Sequence, residues 1–154
     1  QGVISLTSQR YPFCADGPVD SDNSIRSGMS LVPFDQDLNR FMLFVTRLNS
    51  PKAKITWDQD SVVVSAEQLA NGVNLATLFP RNPFNAAFNA VDSAVAAKQA
   101  FETQQIKKVF HGKEGKHDME SAVARTEKER AALVSKISAA RSAVAHQLSI
   151  QPVE

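Results

Sequence analysis

One cysteine, one tyrosine, one tryptophan and three histidines in 154 residues leave this chain short of the side chains that most often carry chemistry. A lone Cys14 excludes an internal disulfide and any multi-cysteine metal site. No stretch approaches the roughly 18 consecutive apolar residues of a membrane-spanning helix, and no basic segment followed by an apolar one opens the chain as a leader would. Seventeen basic residues against sixteen acidic give a net charge of +1, too weak a field to attract nucleic acid or an anionic membrane. Neither common glycine-rich phosphate cradle is present. The start at Gln1-Gly2, without methionine, is read as a cut edge.

What is present is ordinary globular material, 43% hydrophobic and 21% charged, enough for one good core or two small ones. Composition changes near Pro80, so an α+β chain is expected, with a small antiparallel β-rich half over 1–79 and a long antiparallel helical hairpin over 80–154. In the first half Val3–Ser8 alternates as a strand does, and Phe41–Thr46 is a short apolar run. Lys54–Trp57 and Ser61–Ser65 flank the acidic turn Asp58–Asp60 as a hairpin. Tyr11–Asp37, rich in Pro, Gly, Asp and Ser, has the chemistry of a long irregular loop. Ser65-Ala-Glu-Gln68 fits a capping box that opens a short helix over 65–72, closed by Gly72.

Asn82-Pro83 starts the second half, Asn as cap and Pro where a missing N–H costs nothing. A helix is expected over about 83–110, with Phe84, Phe88, Val91 and Val95 on one face. After a glycine-containing turn at His111–His117, Asp118 caps a helix expected over about 118–148, followed by an extended tail at Ser149–Glu154. Met119, Val123, Thr126, Arg130, Leu133, Ile137, Ala140 and Val144 form its seam, and Thr126 with Arg130 makes the middle either wet or packed on something else.

A nucleophilic triad requires Ser or Cys beside a His that a carboxylate orients. All three histidines, His111, His117 and His146, fall in the helical half, and His146 in a final helical turn complements the negative helix end. Cys14 reads as a buried small hydrophobe. Asp16, Asp20, Asp22, Asp35 and Asp37 cluster around the loop, but Ile25 and Leu31 stand where a calcium loop needs glycine and glutamate, so the aspartates are read as turn formers and no metal or cofactor is expected. Tyr11, Phe13, Arg26, Arg40 and Trp57 are suited to frame a sugar or partner surface, while core packing explains the aromatics equally well.

The runs Ser8-Gln-Arg-Tyr-Pro-Phe-Cys14, Asp22-Asn-Ser-Ile-Arg-Ser-Gly28, Leu31-Val-Pro-Phe34, Asp37-Leu-Asn-Arg40, Ala66-Glu-Gln-Leu-Ala-Asn-Gly-Val-Asn-Leu75, Asn82-Pro-Phe84, Ala96-Ala-Lys-Gln-Ala-Phe101 and Thr126-Glu-Lys-Glu-Arg130 resemble the C-terminal half of a bacterial subfamily of SGNH (GDSL-like) hydrolases. That resemblance implies an upstream three-layer α/β catalytic domain, whose Gly-Asp-Ser and Asp-x-x-His blocks supply nucleophile and base. It implies hydrolysis of acyl esters, including acylated carbohydrates, and an exported location. Neither block occurs here, and Leu75 replaces the aspartate of the oxyanion block that Gly72-Val-Asn74 resembles. The chain is therefore expected to be an accessory part, inactive alone and partnered by that catalytic domain, with Tyr11, Arg26 and Trp57 at a substrate pocket rim. The alternative is a non-enzymatic module that docks a partner or dimerises through its helical hairpin.

Overall fold

The computed structural model describes residues 2–15 and 17–154, so the cut edge read at Gln1 and the loop carboxylate Asp16 lie outside the described residues. In chain order the elements are β1 (Gly2–Ser8), α1 (Ile25–Gly28), a 3-10 turn (Met29–Leu31), α2 (Phe34–Asp37), β2 (Met42–Leu43), β3 (Lys52–Trp57), β4 (Asp60–Ser65), α3 (Ala66–Asn71), β5 (Val73–Asn74), α4 (Leu75–Leu78), α5 (Asn85–Gln104), a π-helical turn (Gln105–Phe110), α6 (Lys113–His117), α7 (Met119–Ala140) and β6 (Val144–Val153). The fold is α+β, an antiparallel four-stranded sheet plus the long helices α5 and α7 as a hairpin. Two compact units form, one of residues up to Phe88 together with Ala143–Glu154, the other of Asn89–Ser142. No helix among the described residues is long and apolar enough to cross a membrane.

The sheet runs β1-β6-β3-β4, so the last strand of the chain lies inside it. This corrects the expected helix over 118–148 and its extended tail: α7 stops at Ala140, and Val144–Val153 pairs with β1 on one side and β3 on the other. Strand alternation then decides burial. In β3, Ala53, Ile55 and Trp57 face inward while Lys52 and Lys54 face water and Thr56 is half-buried. In β6, His146 and Leu148 do the same. Leu69, Leu75, Phe79 and Phe84 close over that face. At the hairpin tip Asp58 takes φ 58, a left-handed conformation that aspartate tolerates. Ile4 and Leu6 of β1 stand opposite Leu148 and His146, yet are 44% and 41% exposed, because the core stops short of this edge strand.

Local signals hold where they are strongest. Ser65 and Gln68 close the capping box of α3 from both sides. Gly72 ends that helix at φ 93, and the Phe44 ring occupies the space where a Cβ would stand. Gly72→Ala is expected to cost about 1–3 kcal/mol from backbone strain alone, read as a lower urea midpoint. Adding Phe44→Ala should relieve the ring contact and leave the backbone part; a Gly72→Ala protein as stable as the parent would remove this account.

In the second unit Asp118 caps α7 through its carboxylate, which accepts from the Ser121 backbone N–H at 3.0 Å and hydroxyl at 2.7 Å. These donors hold the carboxyl below its ordinary range. The middle of the hairpin is polar. Gln105 Nε2 donates to buried Thr126 Oγ1 at 2.8 Å, and the Thr126 hydroxyl lies 2.8 Å from the Ala122 carbonyl. Arg130 reaches Glu127 at 2.9 Å and Glu102 at 3.6 Å. The turn expected over His111–His117 is confined to His111 and Gly112, because Lys113–His117 winds into the short helix α6.

Candidate functional site

Alternation along β6 points His146 into the core, where it is 6% exposed and surrounded by Phe41, Trp57 and Phe84. That placement corrects its expected position at a helix end. Trp57 Nε1 lies 3.1 Å from His146 Nδ1, and Ser8 Oγ lies 2.9 Å from His146 Nε2. A serine beside an imidazole is the first half of a nucleophilic relay, so the direction of each bond matters.

An indole N–H can only donate, so Nδ1 must offer its lone pair. The neutral ring then carries its proton on Nε2 and donates it to Ser8, which is the reverse of what a general base does. A relay needs Nε2 empty and Nδ1–H held by a carboxylate; here a tryptophan stands in the carboxylate's place. Burial pushes the His146 pKa down, which keeps the ring neutral. The geometry locks a strand to the core and does not activate a hydroxyl. His111 and His117 are exposed in the other unit.

The long loop is held by three asparagines. Asn39, 5% exposed, accepts from Phe13 N at 2.9 Å and donates to Phe13 O at 3.2 Å and Asp35 Oδ1 at 2.8 Å. Asn74 donates to the Asp35 and Asn39 carbonyls, both at 2.8 Å, and accepts from Phe41 N at 3.0 Å and Ala76 N at 3.2 Å. Its amide is consumed by backbone, so the Asn74 side chain serves loop architecture and has no donor left for an oxyanion. Asn82 accepts from Phe84 N at 3.0 Å, and its Oδ1 lies 3.6 Å from the Cys14 sulfur. Cys14 itself is buried, as its reading as a small hydrophobe implies, with its thiol also 3.3 Å from the Pro12 carbonyl.

Between these supports lies a cavity of about 230 Å³, walled by Phe13, Val19, Met29 and Pro80 and carrying Arg26, Asp35 and Thr77. Among the described residues Arg26 makes no ion pair, unlike Arg81, Arg125 and Arg130. Of the three residues expected at a pocket rim, Arg26 lines this cavity. Tyr11 is half-buried and stacks on Phe84 at 5.6 Å between centroids, and Trp57 is 1% exposed in the core beside His146. The three side chains thus sit at different depths. The period-two run Val144, His146, Leu148, Ile150 is compatible with a strand, but Val144 also continues the helical spacing of α7, so the pattern alone does not place His146. Asp20, Asp22, Asp35 and Asp37 contribute to turns and short helices, and among the described residues no three His, Cys, Asp or Glu side chains gather as metal ligands.

No protein-family model matches the chain, and no curated protein matches it. Among solved structures it is similar to BT4096, a gut microbial diltiazem-metabolizing enzyme, with a TM-score of 0.59 and 17% identity over 98% of this chain and 43% of that one. At that identity the likeness carries the fold alone. The chain thus shares the fold of part of a microbial enzyme while spanning less than half of that enzyme's length.

Proposed function

We propose that this chain is the C-terminal accessory part of an SGNH-type serine esterase, which shapes and braces a catalytic domain and does not cleave esters alone. The observation that carries the reading is the committed imidazole: His146, the histidine that touches a serine, is turned by Trp57 into a donor. Three features support it further. The sequence runs resemble the C-terminal half of such hydrolases. The similar solved chain has more than twice the length. Ile4 and Leu6 offer an apolar edge of sheet that a neighbouring domain can cover.

In this reading the parent protein is exported and takes a small acyl ester or an acylated carbohydrate. Arg26 meets the substrate or its polar leaving part at the loop cavity. The three asparagines hold that loop, and Tyr11 anchors its start on Phe84.

Purified chain is expected to release no phenolate from an aryl acetate above the buffer rate, while a longer protein containing Gly-Asp-Ser and Asp-x-x-His blocks does. In that longer protein Arg26→Ala is expected to raise KM roughly tenfold, as loss of a charge-assisted hydrogen bond does, with little change in kcat. Turnover by the chain alone that disappears on both Ser8→Ala and His146→Gln would sink the proposal.

A further inference from the structure

His146 does something besides failing to be a base. It sits at the meeting point of three strands: Ser8 ends β1, His146 lies on β6, and Trp57 ends β3. Both ring nitrogens are spoken for, Nδ1 by the indole N–H at 3.1 Å and Nε2 by the Ser8 hydroxyl at 2.9 Å. Protonation changes this arrangement in one place. An imidazolium carries hydrogens on both nitrogens, so Nδ1–H would point at Trp57 Nε1–H, donor against donor, while the Nε2–H bond to Ser8 persists.

The geometry points to an acid-released latch, in which neutral His146 clamps Trp57 into the sheet and a proton on Nδ1 ejects the indole from that bond. Among the described residues no charged group is in contact with the ring. From β1 the ring faces Ser8 and Leu6, and from β3 Trp57; Phe41 and Phe84 cover it from the loop and from the start of the helical segment. The phenol of Tyr11 lies one ring farther, stacked on Phe84. Asp58 is the charged residue that borders the same shallow groove as His146, and it is exposed. The ring's ionisation is therefore disfavoured by burial alone.

The sign follows directly. His146 titrates lower in the fold than the ordinary value near 6.5, so the unfolded chain binds the proton first. Its contribution to stability is complete above about pH 6.5 and is lost as pH falls from there through the lower folded value. This conclusion concerns the chain's own residues and stands whether or not the chain belongs to an esterase.

The test uses the single tryptophan of the chain. In the whole chain, NMR of the Trp57 indole N–H and of the His146 ring nitrogens is followed from pH 8 to pH 5. The indole proton should move upfield and the Nδ1 signal should change from unprotonated to protonated, with one shared midpoint below about 6.5. His146→Gln, whose amide oxygen accepts from Trp57 and whose amide nitrogen donates to Ser8 without titrating, should keep the indole shift and abolish the step, with His111 and His117 intact. Ser8→Ala should keep the step. A step that persists in His146→Gln overturns the latch. Should that variant fail to fold, the parent still decides: Nδ1 already protonated at pH 8, or a midpoint at or above 6.5, overturns it as well.

Discussion

Phe84→Ala is expected to destabilise the chain by about 3–5 kcal/mol, the range for emptying a fully buried aromatic site. Phe84 is 0% exposed, and four rings converge on it: Tyr11 at 5.6 Å, Phe41 at 5.5 Å, Trp57 at 5.6 Å and His146 at 4.9 Å. Those partners come from the loop, from the segment before β2, from β3 and from β6, so one cavity would loosen four pieces of chain at once. Collapse around the void is hindered because Trp57 and His146 are fixed to each other by a hydrogen bond. Phe84→Leu refills most of the volume and should cost less than half as much. Urea unfolding followed by Trp57 emission measures both, and a loss below about 1 kcal/mol for Phe84→Ala would mean that the site closes on itself.

Phe84 also shows what the amino-acid pattern could reveal. It was legible as the first member of a helical stripe, and Asn82 was legible as the cap before it, because both signals are local. The structure agrees in part: the Asn82 side chain accepts from Phe84 N, although the regular helix begins only at Asn85. What could not be read was that Phe84 belongs to the sheet unit, since its partners lie up to 73 residues before and 62 residues after it in sequence. The hairpin of β3 and β4 and the capping box of α3 were legible for the same local reason.

β6 was not, and the cause is physical. Ala139-Ala140-Arg141-Ser142 contains neither Gly nor Pro, and Val144 continues the helical 4-3 spacing, so nothing local stops α7. The strand exists because β1 and β3 flank it, and their pairing with residues more than 80 positions away outweighs a helical preference of a few tenths of a kcal/mol per residue. Misreading that one segment also hid the Ser8–His146–Trp57 contact, since a helical His146 cannot face both partners. The candidate site was legible to the extent that Arg26 belongs to the polar loop. The depth of Tyr11 and Trp57 was not, because an aromatic residue in a loop or strand fits a rim and a core alike.

Asn74 carries the second large effect, through hydrogen bonds in place of volume. Its amide satisfies the carbonyls of Asp35 and Asn39 and the N–H groups of Phe41 and Ala76, tying the end of the long loop to β2, β5 and α4. Asn74→Ala strands several of these groups at once. With about 1–3 kcal/mol for each buried group left unmade and water reaching some of them, a total loss of about 2–4 kcal/mol is expected. Asn74→Asp separates shape from bonding. The carboxylate is nearly isosteric and keeps both acceptor contacts, but it places negative oxygen 2.8 Å from two carbonyl oxygens that had received donors. It should therefore be at least as damaging as alanine at pH 7 and recover partly when acid protonates it. Limited proteolysis provides the local readout. Both variants should be cut faster within residues 11–40 than the parent, at conditions where the hairpin of α5 and α7 stays intact. Equal protection of that loop in Asn74→Ala would show that Asn39 and Asn82 alone suffice to hold it, and with it the position of Arg26 at the cavity.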